Sequence, residues 1–570
     1  MAQSPSSPSS PSSPSSPSRA WPGRPNAARE RTPRTPPTPG TALLGPLPPL
    51  RRWRDYLCLA LAAVGMWASF PDVDWWFLLV PSLALLVSVI DRVGAWRATW
   101  YTSLFALAFW LAHIEWVRVA TGGWLPWVAL SMTQVLALAA WGWTVSVARV
   151  WRWTRTVWGQ ALVLGVTWVG IEQLRSRVPF GGFAWANISY AQVDAPLGHL
   201  APWGGEVLVS FLAVVAAVLL RRSVSLAPAH EGDHWWGRPA ALVTALAVLV
   251  LPLAVSLPTS QEAGSMSVGV VQGNVEIPGD RTFSVPNKVT GNHARVTHEL
   301  AASGRHVDLV VWGENSADLD PRTHPETAAL VSEAVDEVDA PTLIGFVEYG
   351  ESTRTNWVGL WYPGGTAPDA TLYGKQHPVP FGEYIPWRQF ISSLASQTAQ
   401  VSVDMVAVDN PGLLEVRLRD GRTVPLAVGI CFEVAYEPLI SEGVRMGGQI
   451  IVIPTNNYHF RYSAESTQQA QMLRFRAMEF SRSGVQASTN GVSMIVRPDG
   501  SVVSATQKQV ADHLVADVPL RTSLTPAARL ADFPAWCAIV ATLLMGIGST
   551  GALLALRSAR GRAGAERRHS

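Results

Sequence analysis

Three residues that could together perform acyl transfer occur far apart in this chain: Glu314, Lys375 and Cys431. Each lies at the end of a short segment with the composition of a β-strand. A cysteine becomes a useful nucleophile when a base and a positive charge stand beside it. A carboxylate in an apolar pocket supplies the base, and a lysine supplies positive charge to a tetrahedral oxyanion. The three residues therefore predict nucleophilic catalysis through Cys431.

The cysteine count supports this choice of nucleophile. The chain has three cysteines, and Cys58 and Cys537 lie in apolar stretches where they are expected to act as small hydrophobic residues. No disulfide framework is expected, because Cys431 cannot pair with residues that lie in a membrane. Cys431 is the cysteine that needs another explanation.

Short apolar segments alternate with helical patterns around these residues. Strands are predicted at 267–272, 307–312, 342–347 and 449–454, and helices at 287–303, 324–338, 436–446 and 465–483. This alternation predicts an α/β sandwich in which helices cover sheets. The apolar face of the helix 465–483 is predicted to be core rather than a lipid-binding face.

The residues before this region are predicted to cross a membrane. Residues 1–50 are rich in Ser, Pro and Arg, lack a signal-peptide core and are predicted to be a disordered cytoplasmic tail. Seven spans are predicted within 51–257, at about 56–71, 75–90, 99–118, 124–148, 157–174, 204–220 and 239–257. The first two are short and could instead form one re-entrant pair. An eighth span is predicted at 534–556, within a C-terminal segment 531–556.

The arginines predict the orientation, because cytoplasmic loops are enriched in Lys and Arg. The segments expected inside carry most of the arginines near the membrane, including the predicted cytoplasmic tail 557–570. The segments expected outside carry only Arg118, Arg175 and Arg177 there. The region 258–530 is therefore predicted to be an extracytoplasmic catalytic domain of a multi-pass plasma-membrane protein. The ionisable residues in or near spans (His113, Glu115, Glu172 and Glu206) are interpreted as structural.

Longer motifs surround the three candidate residues and resemble a known superfamily. They include Val271-Gln272-Gly273-Asn274, Val379-Pro380-Phe381-Gly382-Glu383-Tyr384 and, in the membrane part, Phe180-Gly181-Gly182-Phe183-Ala184-Trp185. The Glu…Lys…Cys order resembles the nitrilase, or carbon–nitrogen hydrolase, superfamily, which implies an αββα sandwich. Together with the preceding helices, the motifs are similar to those of apolipoprotein N-acyltransferases, the actinobacterial ones included.

This resemblance implies roles for individual residues. Cys431 would be the nucleophile, Glu314 the general base and Lys375 the oxyanion partner. Supporting roles would fall to the second family glutamate, to the two residues after the nucleophile and to an asparagine after a later strand: Glu383, Phe432, Glu433 and Asn456. The pair Asn456-Asn457 stands where the family places Asn-Asp or Asn-Asn, and the segment that begins at Arg476 also matches the family pattern. The alternative for Glu433 is that it only orients the turn. His377 is expected to pack rather than to catalyse.

The chain departs from the family pattern at three places. Phe432 stands where the family often has Tyr, and Gly313 stands where it usually has Pro. A tryptophan expected after the Gln-Gly-Asn strand is absent, and Phe283 is the nearest aromatic residue. The first two changes are expected to matter little, whereas the third is expected to alter the details of lipid contact.

The reaction implied by the resemblance has two steps. Cys431 would take an acyl chain from a membrane phospholipid as a thioester and pass it to the amine of a diacylated apolipoprotein. No cofactor, metal or nucleic-acid partner is expected, and the protein is predicted to be a monomer. Two alternatives remain at this point: a membrane-tethered nitrilase or amidase acting on a small soluble substrate, and a non-catalytic partner protein.

An apolar segment follows Lys375 and contains Glu383. From Trp387 its apolar residues are spaced by three and four, as on an amphipathic helix. The segment is predicted to be an arm over the active site whose residues Phe381, Trp387 and Phe390 contact lipid. The alternative is that these residues are ordinary core.

Overall fold

A computed structural model of the protein describes residues 53–224, 237–275, 285–394, 398–399 and 401–569. The predicted tail 1–50 and Phe283 lie outside the described residues. The described chain consists of an N-terminal helical part, a two-sheet domain and a long C-terminal helix.

The N-terminal part follows the predicted spans closely. Its helices are α1 (Trp53–Ala68), α2 (Leu79–Ile90), α3 (Ala95–His113), α4 (Trp116–Thr121), α5 (Trp124–Val147), α6 (Val157–Arg175), α7 (Ala201–Ser223) and α8 (Gly237–Val250). The predicted span 99–118 is wrong as one helix, because Ile114 leaves helical geometry and separates α3 from α4. Helix α7 is also interrupted, by non-helical dihedral angles at Gly204 and Gly205.

The structure supports part of the predicted span count. Four helical segments of the described chain are long and apolar enough to cross a membrane: Trp124–Val150, Pro196–Ser223, Gly237–Ala254 and Phe533–Arg560. The other predicted spans are shorter or more polar; α1 has 16 residues, and α6 carries Gln160, Glu172, Gln173 and Arg175. The chain therefore has several membrane-compatible helices, and the count of eight stays a prediction.

The C-terminal helix is longer than the predicted span. Helix α15 (Phe533–His569) continues without a break through the arginine-rich segment that was predicted to be a separate tail. The apolar residues end near residue 556, where the span was predicted to end, but the helix continues because arginine is itself a good helix former.

Two β-sheets form the domain between the helical parts. The strands are β1 (Ser265–Gln272), β2 (Leu309–Val311), β3 (Thr342–Tyr349), β4 (Thr353–Trp361), β5 (Leu372–Gly374), β6 (Asp404–Met405), β7 (Leu413–Arg417), β8 (Thr423–Val428), β9 (Ile450–Thr455), β10 (Ser483–Ser488), β11 (Met494–Val496), β12 (Val502–Ala505) and β13 (Asp512–Pro519). One seven-stranded sheet has the order β13-β1-β2-β3-β4-β5 with β6 beside β4, and a six-stranded sheet has the order β12-β11-β10-β9-β8-β7. The strands β1-β2-β3 and β8-β9-β10 pair in parallel.

Helices cover the outer face of each sheet. The remaining helices are α9 (Lys288–Ala302), α10 (Pro325–Val338), α11 (Arg388–Leu394), α12 (Glu437–Arg445), α13 (Glu465–Phe480) and α14 (Pro526–Leu530). Helices α9 and α10 pack on the seven-stranded sheet, and α12 and α13 pack on the other sheet. This arrangement confirms the predicted αββα sandwich.

The alternation of side chains along β9 shows how the layers meet. Ile450 and Val452 point into the apolar core between the two sheets. Ile451 and Ile453 point to the opposite face, into a cluster that also contains Phe475 of α13 and residues of the membrane helices. Since successive side chains of a strand face opposite sides, one strand joins both cores. The six-stranded sheet is thereby packed, through α12 and α13, against the helical N-terminal part.

Helix α13 ends earlier than predicted. It stops at Phe480, and Ser481 adopts a left-handed conformation with φ 50°. Ser483 then begins β10. The prediction that its apolar side chains are core is confirmed, because Met472, Phe475, Met478 and Phe480 are all buried.

Candidate active site

The three candidate catalytic residues follow strand ends, as the sequence predicts. Strands β2, β5 and β8 end shortly before Glu314, Lys375 and Cys431, respectively. All three side chains are buried. In the seven-stranded sheet β2 pairs in parallel with β3, and β3, β4 and β5 pair antiparallel in turn, so β2 and β5 run in the same direction and end toward the same edge. The strand before Cys431, β8, belongs to the other sheet of the sandwich.

Lys375 lies between two carboxylates. Its Nζ donates hydrogen bonds to Glu314 Oε1 at 2.9 Å and to Glu383 Oε1 at 2.6 Å. Burial opposes the charge on Lys375, but Glu314 and Glu383 overcome it and raise the lysine pKa well above its ordinary value. Lys375 is therefore a buried ammonium group held between two carboxylates.

Two further contacts orient the carboxylates. Glu314 Oε1 also accepts a hydrogen bond from Asn356 Nδ2 at 2.6 Å. Glu383 Oε2 accepts one from the backbone N–H of Val379 at 2.7 Å. Each carboxylate thus has a second donor besides Lys375, which restricts its rotation.

Cys431 lies at a sharp turn of the backbone, and the charges of Glu314 and Lys375 act on the pKa of its thiol. It has φ 55°, in the left-handed region that few non-glycine residues adopt, and it begins a 3₁₀ turn that extends to Ala435. Gln469 Nε2 donates to its Sγ at 3.6 Å. Burial and the charge of Glu314 raise the pKa of the Cys431 thiol, while Lys375 acts in the opposite direction. Cys431 is therefore a protonated thiol in the resting site, and it would have to lose its proton to act as a nucleophile.

Glu433 connects the two loops that carry Lys375 and Cys431. Its carboxylate accepts hydrogen bonds from the backbone N–H groups of Gln376 (2.7 Å), His377 (2.9 Å) and Ile430 (2.6 Å). Tyr373 Oη donates to the same carboxylate at 2.8 Å. These contacts orient the turn that begins at Cys431 and hold it against the loop after Lys375.

Phe432 packs against the helical N-terminal part. Its ring stacks with Phe183 and Trp185, with centroids 6.1 Å and 5.8 Å away, and both of those residues lie in the loop after α6. Tyr436 approaches the ring edge-on at 5.3 Å. The residue after the nucleophile is thus a contact between the two parts of the chain.

Asn456 makes its hydrogen bonds with residues other than Cys431, Lys375 and Glu314. Its Oδ1 accepts hydrogen bonds from the backbone N–H of Tyr458 and from Thr489 Oγ1. Asn457 instead donates to Gln469 Oε1 at 2.8 Å. The structure therefore joins Asn457, through Gln469, to Cys431.

The predicted arm leaves its aromatic residues exposed. Phe381, Trp387 and Phe390 are 44%, 71% and 61% exposed, respectively. Helix α11 begins directly after Trp387, as the spacing predicts. The Trp387 ring contacts Phe180 of the loop after α6, with centroids 5.0 Å apart. These exposures argue against the alternative that the segment is ordinary core.

His377 packs, as expected, rather than joining the Glu–Lys pair. Its ring is stacked on Tyr436 with centroids 4.6 Å apart. Burial lowers its pKa, so the imidazole is neutral near pH 7.

Comparisons with known proteins agree with this division of the chain. Residues 62–219 match the family model described as the apolipoprotein N-acyltransferase N-terminal domain, and residues 267–524 match the carbon–nitrogen hydrolase model. An apolipoprotein N-acyltransferase of Mycolicibacterium smegmatis is 33% identical over 531 residues, which cover 87% of this chain and 84% of the relative. The chain belongs to the apolipoprotein N-acyltransferase family.

Other similar proteins are more distant. An apolipoprotein N-acyltransferase of Pseudomonas aeruginosa is 27% identical over 503 residues, covering 83% of this chain and 92% of the relative. Among solved structures, an amidase from Nesterenkonia sp. is 15% identical in sequence and has a TM-score of 0.34. The match covers 45% of this chain and 92% of the amidase chain.

Several polar residues that support the site of this N-acyltransferase were not predicted. Asn356 lies in β4, a strand whose sequence carries no distinguishing motif. Gln469 was not predicted either, and it accepts a hydrogen bond from Asn457, one of the two asparagines of the family pattern, and donates one to Cys431. The available signal was the pair of glutamines Gln468 and Gln469 on a helix predicted to be core, because amides there must find hydrogen-bond partners.

Proposed function

We propose that this chain transfers an acyl group from a membrane phospholipid to the α-amine of the diacylglyceryl-cysteine of an apolipoprotein. Membership of the family supports lipoprotein N-acylation, and the proposal adds the donor and the residues. The observation that carries it is the Lys375 ammonium fixed between Glu314 and Glu383 beside the buried Cys431 thiol. A base, a cation and a nucleophile are the groups that the chemistry requires.

The first half-reaction forms a thioester. Cys431 Sγ attacks the ester carbonyl carbon of the phospholipid, and its proton passes to Glu314. Two of the three N–H groups of Lys375 donate hydrogen bonds to carboxylates. We propose that the third N–H donates a hydrogen bond to the developing oxyanion. When the intermediate collapses, the C–O bond breaks and Glu314 returns the proton to the departing lysophospholipid oxygen.

The second half-reaction consumes the thioester. The acceptor amine attacks the thioester carbonyl carbon, and Glu314 takes a proton from the resulting ammonium. The C–S bond then breaks, and the proton returns to the Cys431 sulfur. The product is an N-acylated lipoprotein, and the enzyme regains its starting state.

The exposed aromatic side chains support a lipid-facing arm. Trp387 and Phe390 would insert into the outer leaflet, while Glu383 on the same segment stays bonded to Lys375. An arm in this position would bring lipid substrates to Cys431 and limit the access of water to the thioester.

The proposal includes eight membrane spans, an extracytoplasmic catalytic domain at 258–530 and a monomeric enzyme in the plasma membrane. The arginine distribution supports the orientation. The two family matches, 62–219 and 267–524, fall within the proposed membrane part and catalytic domain.

An acyl-transfer assay tests the function. The purified full-length enzyme in detergent is mixed with a phospholipid labelled in its acyl chain and a diacylated lipopeptide. We expect label on the lipopeptide amine together with lysophospholipid. Hydrolysis of small amides without lipopeptide labelling would contradict the proposal and support a tethered amidase. The whole-length similarity to N-acyltransferases does not favour that alternative.

A further inference from the structure

Arg476 of α13 is a fully buried cation that contacts the backbone of the turn containing the nucleophile. Its Nε donates to the carbonyl oxygen of Val434 at 3.1 Å, and its Nη2 donates to the carbonyl oxygen of Ala435 at 2.8 Å. These two carbonyl groups end the 3₁₀ turn that Cys431 begins. One planar guanidinium thus holds two successive peptide groups of this turn.

The same guanidinium contacts the membrane part of the chain. Its Nη2 donates to Tyr190 Oη at 2.9 Å and lies 3.2 Å from Glu206 Oε2. Tyr190 lies in the loop between α6 and α7, and Glu206 lies in α7. Gln173 of α6 donates to the other oxygen of Glu206 at 2.7 Å. Arg476 therefore connects the nucleophile turn to two membrane helices and their loop.

Glu479 completes the connection from the catalytic domain. Its Oε2 accepts from Arg476 Nη1 at 2.5 Å, and its Oε1 accepts from the backbone N–H of Glu206 at 3.1 Å. That N–H is available because α7 is interrupted at Gly204 and Gly205. A Cβ atom on Gly205 would lie 2.1 Å from Glu479 Oε1, so the close approach requires glycine there.

The geometry matters for the reaction because both substrates are anchored in the membrane. The height of Cys431 above the membrane helices then determines whether its sulfur reaches the ester and the thioester reaches the amine. Misplacement of a reacting group by about 1 Å can cost about 10² in rate. Arginine suits this task, because its rigid fork fixes several acceptors at once, which lysine does not.

We propose that Arg476 is a positioning residue that sets the place of the Cys431 turn relative to the membrane helices. It touches neither substrate, and it acts through the carbonyl groups of Val434 and Ala435 on one side and through Tyr190 and Glu206 on the other. The inference rests on the proposed role of Cys431.

Arg474 provides a matched control on the same helix. It also joins α13 to the membrane part, through contacts with Asp194 at 2.8 Å and 2.5 Å, but no contact of Arg474 reaches the nucleophile turn. Loss of Arg474 therefore removes a contact between the two parts of the chain and leaves the turn in place.

The test compares Arg476→Lys, Arg476→Gln and Arg474→Gln in the full-length enzyme. The rate of thioester formation on Cys431 is measured over a range of labelled phospholipid concentrations. For both Arg476 variants we expect the maximal rate to fall about 10²-fold, with the apparent KM for phospholipid within about twofold of wild type. Arg474→Gln is expected to keep both values.

A milder variant covers the case in which the Arg476 variants do not fold. Tyr190→Phe keeps the ring packed on Phe475 and removes a hydroxyl that accepts from Arg476 and donates to Glu206 at 3.0 Å and to the carbonyl oxygen of Ala435 at 3.2 Å. Its maximal rate is expected to fall roughly tenfold, since hydrogen bonds to two charged groups and one contact with the turn are lost while Arg476 itself remains. A wild-type maximal rate in Arg476→Lys or in Tyr190→Phe would overturn the proposal. It would also be overturned if Arg474→Gln lowered the maximal rate as much as the Arg476 variants do. Failure of the wild type to form a thioester would instead contradict the proposed function itself.

Discussion

At the scale of single residues, charge pairing determines the state of each catalytic group. Glu314 and Glu383 keep Lys375 charged in a buried place, and burial keeps Cys431 protonated. A preformed thiolate–lysine pair is therefore not the resting state. In the proposed mechanism this proton moves to Glu314 in the acylation step.

Substitution of the base or the cation should slow acylation itself. Glu314→Ala and Lys375→Ala are each expected to reduce the rate of thioester formation by about 10²–10³, the usual effect of losing such a group. Single-turnover labelling of Cys431 measures this rate. Glu351→Ala, at an exposed position, is the control. Acylation at the wild-type rate in either variant would remove the role assigned to that residue.

Glu465 predicts a pH dependence of stability. Burial raises the pKa of its carboxyl group from 4.5 to about 8, against a hydrogen bond from Asn457. The folded state thus holds a proton that the unfolded state has released at pH 7. The resulting stabilisation is complete below pH 4.5 and is lost as the pH rises through about 8.

The variant Glu465→Gln removes this titration. Between pH 6 and pH 9 the Tm of the wild type should therefore fall by more than the Tm of Glu465→Gln, as thermal unfolding in detergent would show. Glu326→Gln, at an exposed position, should retain the wild-type slope. Parallel Tm profiles for Glu465→Gln and wild type would contradict the assignment.

At the scale of elements, the arm and the nucleophile turn contact the same loop after α6. Phe180 of this loop contacts Trp387 of the arm, and Phe183 and Trp185 stack on Phe432 of the turn. The loop is therefore the element through which the membrane part reaches the active site.

Because the aromatic residues of the arm are exposed, their substitution should lower activity without lowering the stability of the domain. Trp387→Ser combined with Phe390→Ser should strongly reduce the use of phospholipid, because burial of each aromatic side chain in lipid is worth roughly 1.5–3 kcal/mol. The Tm of the enzyme should stay nearly constant, since both residues are exposed in the folded domain. Tyr349→Ser, which removes an aromatic residue 65% exposed elsewhere on the domain, is the matched control.

Either of two results would contradict the proposal that this segment is a lipid-contacting arm. Normal acylation by the double variant would exclude membrane contact, and unfolding of the domain would show that the segment is core.

The elements also show which parts of the site a sequence can reveal. Glu314, Lys375 and Cys431 were predictable because each follows a recognisable strand, and Glu383 because it lies within a family motif. Asn356 was not predictable, since nothing in the sequence shows which group a polar residue inside a strand will contact. Arg476 lies in a segment that matches the family pattern, but its contacts were not predictable, because Tyr190 and Glu206 are 286 and 270 residues away in the sequence.

At the scale of the whole molecule, the sequence predicted the order of parts better than their boundaries. Apolar stretches revealed the helical regions, but composition alone placed the end of the last helix at residue 556 rather than at His569. Composition likewise merged α3 and α4, since the break near Ile114 carries neither proline nor glycine. Backbone geometry of this kind depends on packing, which a single sequence does not contain.

The orientation of the molecule is tested with reporter fusions. A reporter that is active only outside the cytoplasm should be active when fused near residue 260 and inactive when fused near residues 95 or 152, because arginines are concentrated around the latter two. Measured activity is normalised to the amount of fusion protein. An active fusion near residue 152 would overturn the proposed topology.

The central claim is that Cys431 carries the acyl chain. Purified wild-type enzyme incubated with phospholipid alone should gain the mass of one acyl chain on the peptide containing Cys431, and hydroxylamine should remove it, as expected of a thioester. Cys431→Ala should fold with the wild-type Tm and gain no such mass, whereas Cys58→Ala and Cys537→Ala should be acylated normally. A hydroxylamine-sensitive acyl adduct that persists in Cys431→Ala would contradict the account.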